Sequence, residues 1–266
     1  MFPPDPPEVD DTVPFTSSKP YRTVFLLSSD RDRRQWVMAR RGETLREHIL
    51  WTAKDVFLQM GFERASMDEV AKRAETSKRS LYAYFESKEK LFLAVITLVR
   101  GLFLNRVKTP GDYAEKPAEA LVVFCGRYLE VLLYQPQVRM LRISMAEAER
   151  FPEQAEQYYD VLFTQVHARL SAYLKATFGI SAGASREAAG SLLGQLLYAR
   201  LPRALFGIDK LRESFDHEAL SPEVDLKPIR KAVAELIGSL PKKSYTAADA
   251  EGKVRRIGIA GAAKRC

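Results

Sequence analysis

The chain has 266 residues, 46% hydrophobic and 28% charged, the balance of a globular protein with enough length to bury a core. Its two cysteines, Cys125 and Cys266, exclude a disulfide framework and a thiolate metal centre. The longest apolar run, Leu91 to Val99 with Thr97 inside it, falls far short of the roughly 20 residues of a membrane span. The net charge of +7 is uneven: −3 over residues 1–30, +7 over 31–108, −2 over 109–241 and +5 over 242–266. Positive charge gathered in one early segment and one tail points to a polyanionic partner, most simply nucleic acid.

Residues 1–30 carry six prolines and no sustained periodicity, so they read as disordered. Their Pro- and Asp-rich start is unlike a signal peptide, and a cytoplasmic location is expected. No fold pattern precedes Met38, which makes Met38 a candidate start codon. From residue 43 to 241 strand signals are nearly absent, and apolar residues recur at spacings of three and four. A first helix covers 43–61 through Leu45, Ile49, Ala53, Val56, Phe57 and Met60, with Gly61 as its C-terminal stop. Ser66 and Glu69 have the spacing of a capping box, and Met67, Val70, Ala71 and Ala74 form the buried face of a second helix. A third runs from Ser77 to about Tyr84. A fourth opens at Ser87 and carries Leu91, Phe92, Val95, Ile96 and Val99 towards Val107. Pro110 and Gly111 mark a linker at 109–116. Further helices are predicted at about 117–134, 136–149, 153–178, 185–206 and 225–239, with a polar loop at 215–225 and a basic tail after Pro241.

The stretch 66–85 holds two short helices joined by Glu75 and Thr76, the pattern of a helix-turn-helix. Such short helices must pack on neighbours to persist. Lys78 and Arg79 stand in the first turn behind the N-cap Ser77, and Lys88 stands just behind Ser87. A helix dipole disfavours cations there, but cations with free N–H groups at a helix start suit a phosphate or a guanine. A sequence that breaks a local rule marks a candidate functional site.

Residues 43–95 resemble the DNA-binding domain of the TetR/AcrR family of bacterial transcriptional repressors. The resemblance is carried by Ile49-x3-Ala53-x3-Phe57-x3-Gly61-Phe62, by Ser66-Met67-Asp68-Glu69-Val70-Ala71-x2-Ala74, and by Ser77-Lys78-Arg79-Ser80-Leu81-Tyr82-x-Tyr84-Phe85-x-Ser87-Lys88-Glu89-x-Leu91-Phe92. Glu75 and Arg79 stand where the family commonly has glycine. The resemblance implies an all-α fold: an N-terminal three-helix helix-turn-helix domain followed by a helical-bundle domain for ligand binding and dimerisation. It makes the third helix the recognition helix, with Lys78, Arg79 and Ser80 at base edges and Ser66, Met67, Ser77, Tyr82, Tyr84 and Lys88 beside the phosphate backbone. The domains expected are a disordered extension at 1–40, the DNA-binding domain at 41–95, the regulatory domain at 96–240 and a disordered basic tail at 241–266.

Leu141–Pro152 resembles the C-terminal domain of AefR-like members, which implies a homodimer that binds a palindromic operator and answers to a small-molecule effector. Phe124, Tyr128, Met145, Phe163, His167 and Tyr198 are the candidate effector contacts, being aromatic, sulfur-bearing or polar groups in an apolar bundle. The dimer face is expected on helices 185–206 and 225–239, through Leu192, Leu193, Leu196 and Leu197, with Gly190 and Gly194 allowing close approach. No catalytic residue, metal site or cofactor is expected. The three histidines, His48, His167 and His217, are scattered, and there is no nucleophile elbow, P-loop or dinucleotide fingerprint.

Overall fold

A computed structural model describes residues 30–198, 200–214 and 219–240, with side chains from residue 44 onward. The basic tail and residues 1–29 of the expected extension lie outside the described residues. Among the described residues the fold is all helical, without strands. It divides into two compact units.

The first unit runs to Phe103 and takes in Ile143–Gln154. Helix α1 spans Asp30–Arg64, so it starts before both the expected Glu43 and the end of the expected 1–40 extension. No proline interrupts residues 30–64, and the helix runs until Gly61 turns to φ 75°, the left-handed conformation that glycine enters most readily. Helices α2 (Met67–Arg73), α3 (Lys78–Tyr84) and α4 (Lys88–Arg106) follow. Ile49, Ala53 and Phe57 of α1, Val70 of α2, Leu81 of α3 and Leu91, Phe92 and Val95 of α4 form the core.

An aromatic cluster extends this unit past the expected boundary at residue 95. Phe62 packs on Phe92 with ring centres 4.9 Å apart, and Phe151 packs edge-on to Phe62 at 5.4 Å. Arg150 reaches over the Phe62 ring at 4.7 Å and pairs with Glu63 and Glu89, each at 2.9 Å. Residues 143–154 are thereby joined to α1 and α4 by burial and charge together.

The second unit contains α5 (Pro117–Leu132), most of α6 (Gln135–Ala146), α7 (Pro152–Tyr159) from Ala155 onward, α8 (Gln165–Phe178), α9 (Ala182–Tyr198), α10 (Leu201–Leu205) and α11 (Lys227–Ser239). The predicted helix 153–178 is observed as α7 and α8 joined through a widened π turn at Asp160–Thr164. The predicted 185–206 is divided, α9 ending at Tyr198 and α10 opening at Leu201, where Pro202 suits a first turn. Helix α5 is the centre of the core: Leu121, Phe124, Cys125 and Tyr128 are all buried. Gly126 lacks a side chain where a Cβ would sit 2.9 Å from Leu226 and 3.1 Å from Leu220, so the segment that connects α10 to α11 can seat its leucines there.

The apolar run of α9 largely packs inward. Ala189, Leu192, Leu193 and Leu196 are buried within the protomer, by packing of α9 on α8 and α11. Between Gly190 and Tyr198, α9 leaves Gly190, Ser191, Gly194, Gln195 and Tyr198 exposed and Leu197 half-buried, so three of the four leucines expected at a dimer face, Leu192, Leu193 and Leu196, belong to the protomer's own core.

Candidate nucleic-acid interface

The turn between α2 and α3 is set by hydrogen bonds that its sequence makes possible. Ser66 caps α2, its Oγ accepting from the Glu69 amide at 3.1 Å, one half of the expected capping box; the Glu69 carboxylate accepts from Arg73 Nε at 2.5 Å. At the other end the Glu75 amide donates to the Lys72 carbonyl and the Thr76 amide to the Ala71 carbonyl, at 3.3 and 3.0 Å. These two bonds form a Schellman closure, which needs a left-handed residue after the cap. Glu75 supplies it at φ 50°, although a side chain makes that conformation costly. Ser77 then caps α3, its Oγ accepting from the Ser80 amide at 3.0 Å and lying 2.9 Å from the Ser80 hydroxyl.

Helix α3 sits on the core by Leu81, which is fully buried, with Phe85 buried just beyond its end. Its opposite side is open. Lys78, Arg79 and Tyr82 are exposed, and Ser80 and Tyr84 are half-buried. Lys78 Nζ is 2.6 Å from Asp68 Oδ2 at the start of α2, with both side chains more than half exposed. Such a pair is weakly held in water and can be exchanged for a phosphate or a base edge. Arg79 projects from the first turn with its five donors available for a guanine.

Residues 49–95 match the family described as bacterial regulatory proteins, tetR family, and residues 119–184 match the AefR-like transcriptional repressor C-terminal domain. The uncharacterized HTH-type transcriptional regulator YhgD of Bacillus subtilis is 25% identical over 187 residues, which is 68% of this chain and 93% of that protein. The HTH-type transcriptional activator FasR of Mycolicibacterium smegmatis is 45% identical over 95 residues, covering 32% of this chain and 43% of FasR. The solved structure of the flavonoid-responsive regulator FrrA superimposes with a TM-score of 0.56 at 26% identity, covering 74% of this chain and 97% of that one. The chain belongs to the TetR family. As a TetR-family protein it is a DNA-binding transcriptional regulator and not an enzyme.

Two side chains expected at the DNA backbone of this TetR-family regulator are engaged elsewhere. Met67 is 7% exposed and belongs to the core, while Asp68 beside it is exposed. Lys88 is half-buried, its Nζ donating to the carbonyls of Phe62 and Glu63 at 3.0 and 3.2 Å and lying 4.4 Å from the Phe62 ring centre. A cation there satisfies carbonyls that the end of α1 leaves open. Ser66 is exposed, as is Ser77.

The six expected effector contacts lie in differing surroundings. Phe124 is fully buried; Tyr128 is buried, its hydroxyl donating to the Leu162 carbonyl at 3.0 Å. Burial raises the pKa of the Tyr128 hydroxyl, as it does that of the Tyr158 hydroxyl, which accepts from Gln137. Tyr198 is 85% exposed. Phe163 is half-buried against the exposed Tyr159, and His167 Nε2 lies 2.9 Å from the Arg186 carbonyl. Met145 is exposed and belongs to the first unit. Burial also pushes the Cys125 thiol up to about 12, which leaves it unionised and a poor nucleophile. No helix among the described residues is long and apolar enough to cross a membrane.

Proposed function

We propose that this regulator is a cytoplasmic homodimeric repressor that binds a palindromic operator and releases it when a small molecule binds the second unit. The observation that carries the reading is the first turn of α3: a capped helix start with Lys78 exchangeable and Arg79 open to solvent, backed by a buried Leu81. Lys78, Arg79 and Ser80 read base edges, while Ser66, Ser77, Tyr82 and Tyr84 hold the backbone. Two-fold symmetry presents two such helices about 34–36 Å apart to successive major grooves. Tyr198 and Phe206, 85% and 84% exposed at the ends of α9 and α10, are apolar surface that a second protomer can cover. Occupation of a promoter excludes polymerase, and an effector that shifts the dimer by a coupling of about 1–3 kcal/mol lowers operator affinity 5–150-fold.

The test is the double variant Lys78→Glu and Arg79→Glu in a gel shift against the DNA flanking the gene, with folding and oligomeric state checked by circular dichroism and sedimentation. Operator affinity is expected to fall at least about 30-fold, since each of the two lost contacts is worth about 1–3 kcal/mol. A folded variant that binds as the parent does overturns the reading. A promoter reporter that falls when the gene is deleted overturns repression in favour of activation.

A further inference from the structure

The connector between α10 and α11 closes one side of a cleft of about 330 Å³ in the second unit. Its opposite wall is the end of α5 together with Ala204 of α10. The apolar lining comes from Leu129, Leu133, Ala204, Leu211 and Val224, and none of the six expected effector contacts takes part. The volume lies at the lower end of the range for small-molecule sites.

Charge in this cleft is unevenly matched. Four carboxylates line it, and each has a donor. Glu130 pairs with Arg127 at 2.9 Å and Arg212 at 3.4 Å and accepts from the Ser221 amide at 3.2 Å. Asp209 is held by Arg203 at 2.8 Å, Glu223 pairs with Arg212 at 3.4 Å, and Asp225 accepts from the Lys227 amide at 3.0 Å. Arg200 and Lys210 also line the cleft, and neither has an acidic partner among the described residues. A half-buried guanidinium and an exposed ammonium beside five apolar side chains favour an anion that brings an apolar body with it.

We propose that this cleft binds a small organic carboxylate, its head between Arg200 and Lys210 and its body against Leu129, Leu133 and Leu211. The proposal deepens the ligand response given above by naming the effector's chemical class and seat, and rests on that reading only for its effect on DNA. The connector is bonded to more than α5: the Arg212 carbonyl accepts from the Gln135 amide at 2.8 Å, at the first residue of α6. Helix α6 runs on to Ala146, whose end is counted with the first unit. A ligand that contacts Leu211 and Arg212 thus lies beside a hydrogen bond to the first residue of α6.

The test is calorimetric titration of the full-length protein with benzoate and hexanoate, beside benzamide and hexanamide. The acids are expected to bind at least about tenfold more tightly than the amides, since a charged hydrogen bond is worth more than a neutral one. Arg200→Gln and Lys210→Gln are each expected to weaken the acids about tenfold, with unchanged melting temperature in the absence of ligand. Leu133→Trp, which fills the cleft, is expected to remove binding of both acids. Equal binding of acids and amides, a double variant that binds acids as the parent does, or no binding of either acid at millimolar concentration overturns the proposal. Operator binding is followed by gel shift in the same preparations. Carboxylate binding by a protein with no operator affinity upholds the site and defeats the regulator reading instead.

Discussion

Lys78 and Arg127 are both cations that meet a carboxylate, and they do opposite work. The Lys78–Asp68 pair is 63% and 61% exposed, whereas the Arg127–Glu130 pair is 2% and 0% exposed. Water screens the first pair, so its partners can be exchanged for those of a polyanion with little loss. The second pair is desolvated and has been completed by other donors: Arg127 also donates to the Ala219 carbonyl at 2.9 Å, and Glu130 accepts from the Ser221 amide. The DNA-binding unit thus keeps its charge interchangeable at the surface. The second unit uses charge as a fastening that holds the connector to α5.

The largest effect that tests this contrast is at Glu130. Glu130→Ala leaves the Arg127 guanidinium buried without its counter-ion, and the expected loss of stability is about 3–5 kcal/mol. Asp68→Ala, at the exposed pair, is expected to change stability by less than about 1 kcal/mol. Urea denaturation of both variants, followed by circular dichroism, makes the comparison. Similar losses for the two would break it.

A finer division runs within the first unit, between Arg79 and Lys88. Arg79→Ala is expected to leave stability unchanged and to relax discrimination at one base pair by about 1–3 kcal/mol. Lys88→Ala removes the two donations to the α1 carbonyls and the contact with Phe62, so a stability loss of about 1–2 kcal/mol is expected. Salt titration of operator binding separates the roles further. A Lys88→Ala slope lower by about one would restore Lys88 to the phosphate contacts.

The difference between Arg79 and Lys88 also shows what the sequence could and could not reveal. Both stand in the first turn of a helix behind a serine cap, and the local pattern treats them alike. The caps at Ser66 and Ser77, the stop at Gly61 and the periodicity that buries Leu81 and Val95 are all local, so they are legible without a structure. Lys88 is decided by carbonyls 25 and 26 residues away. Arg150 is decided by partners 87 and 61 residues away, which is why residues 143–154 could not be assigned to the first unit by pattern. The connector's attachment depends on Glu130, 91 residues before Ser221. Met67 illustrates a different limit: a family motif gives the neighbourhood of the DNA, and the packing of one turn decides which side chains face it.

The smallest predicted effect lies at the turn itself. Glu75 holds the left-handed position of the Schellman closure at φ 50°, so its side chain works against the geometry that orients α3 on α2. Glu75→Gly removes that clash and also frees the unfolded chain, and the net gain expected is about 0.5–1 kcal/mol. The same change removes a negative charge beside the recognition helix, so tighter operator binding alone would not identify the cause. Glu75→Ala separates the two, because it removes the charge and keeps the Cβ. Backbone strain predicts a higher urea midpoint for the glycine variant only, whereas an electrostatic origin predicts the same shift for both. If α3 is held as firmly as its buried Leu81 implies, the glycine variant gains stability without losing base discrimination; a more stable protein that reads its operator less well would show that the strained glutamate fixes the angle of the helix.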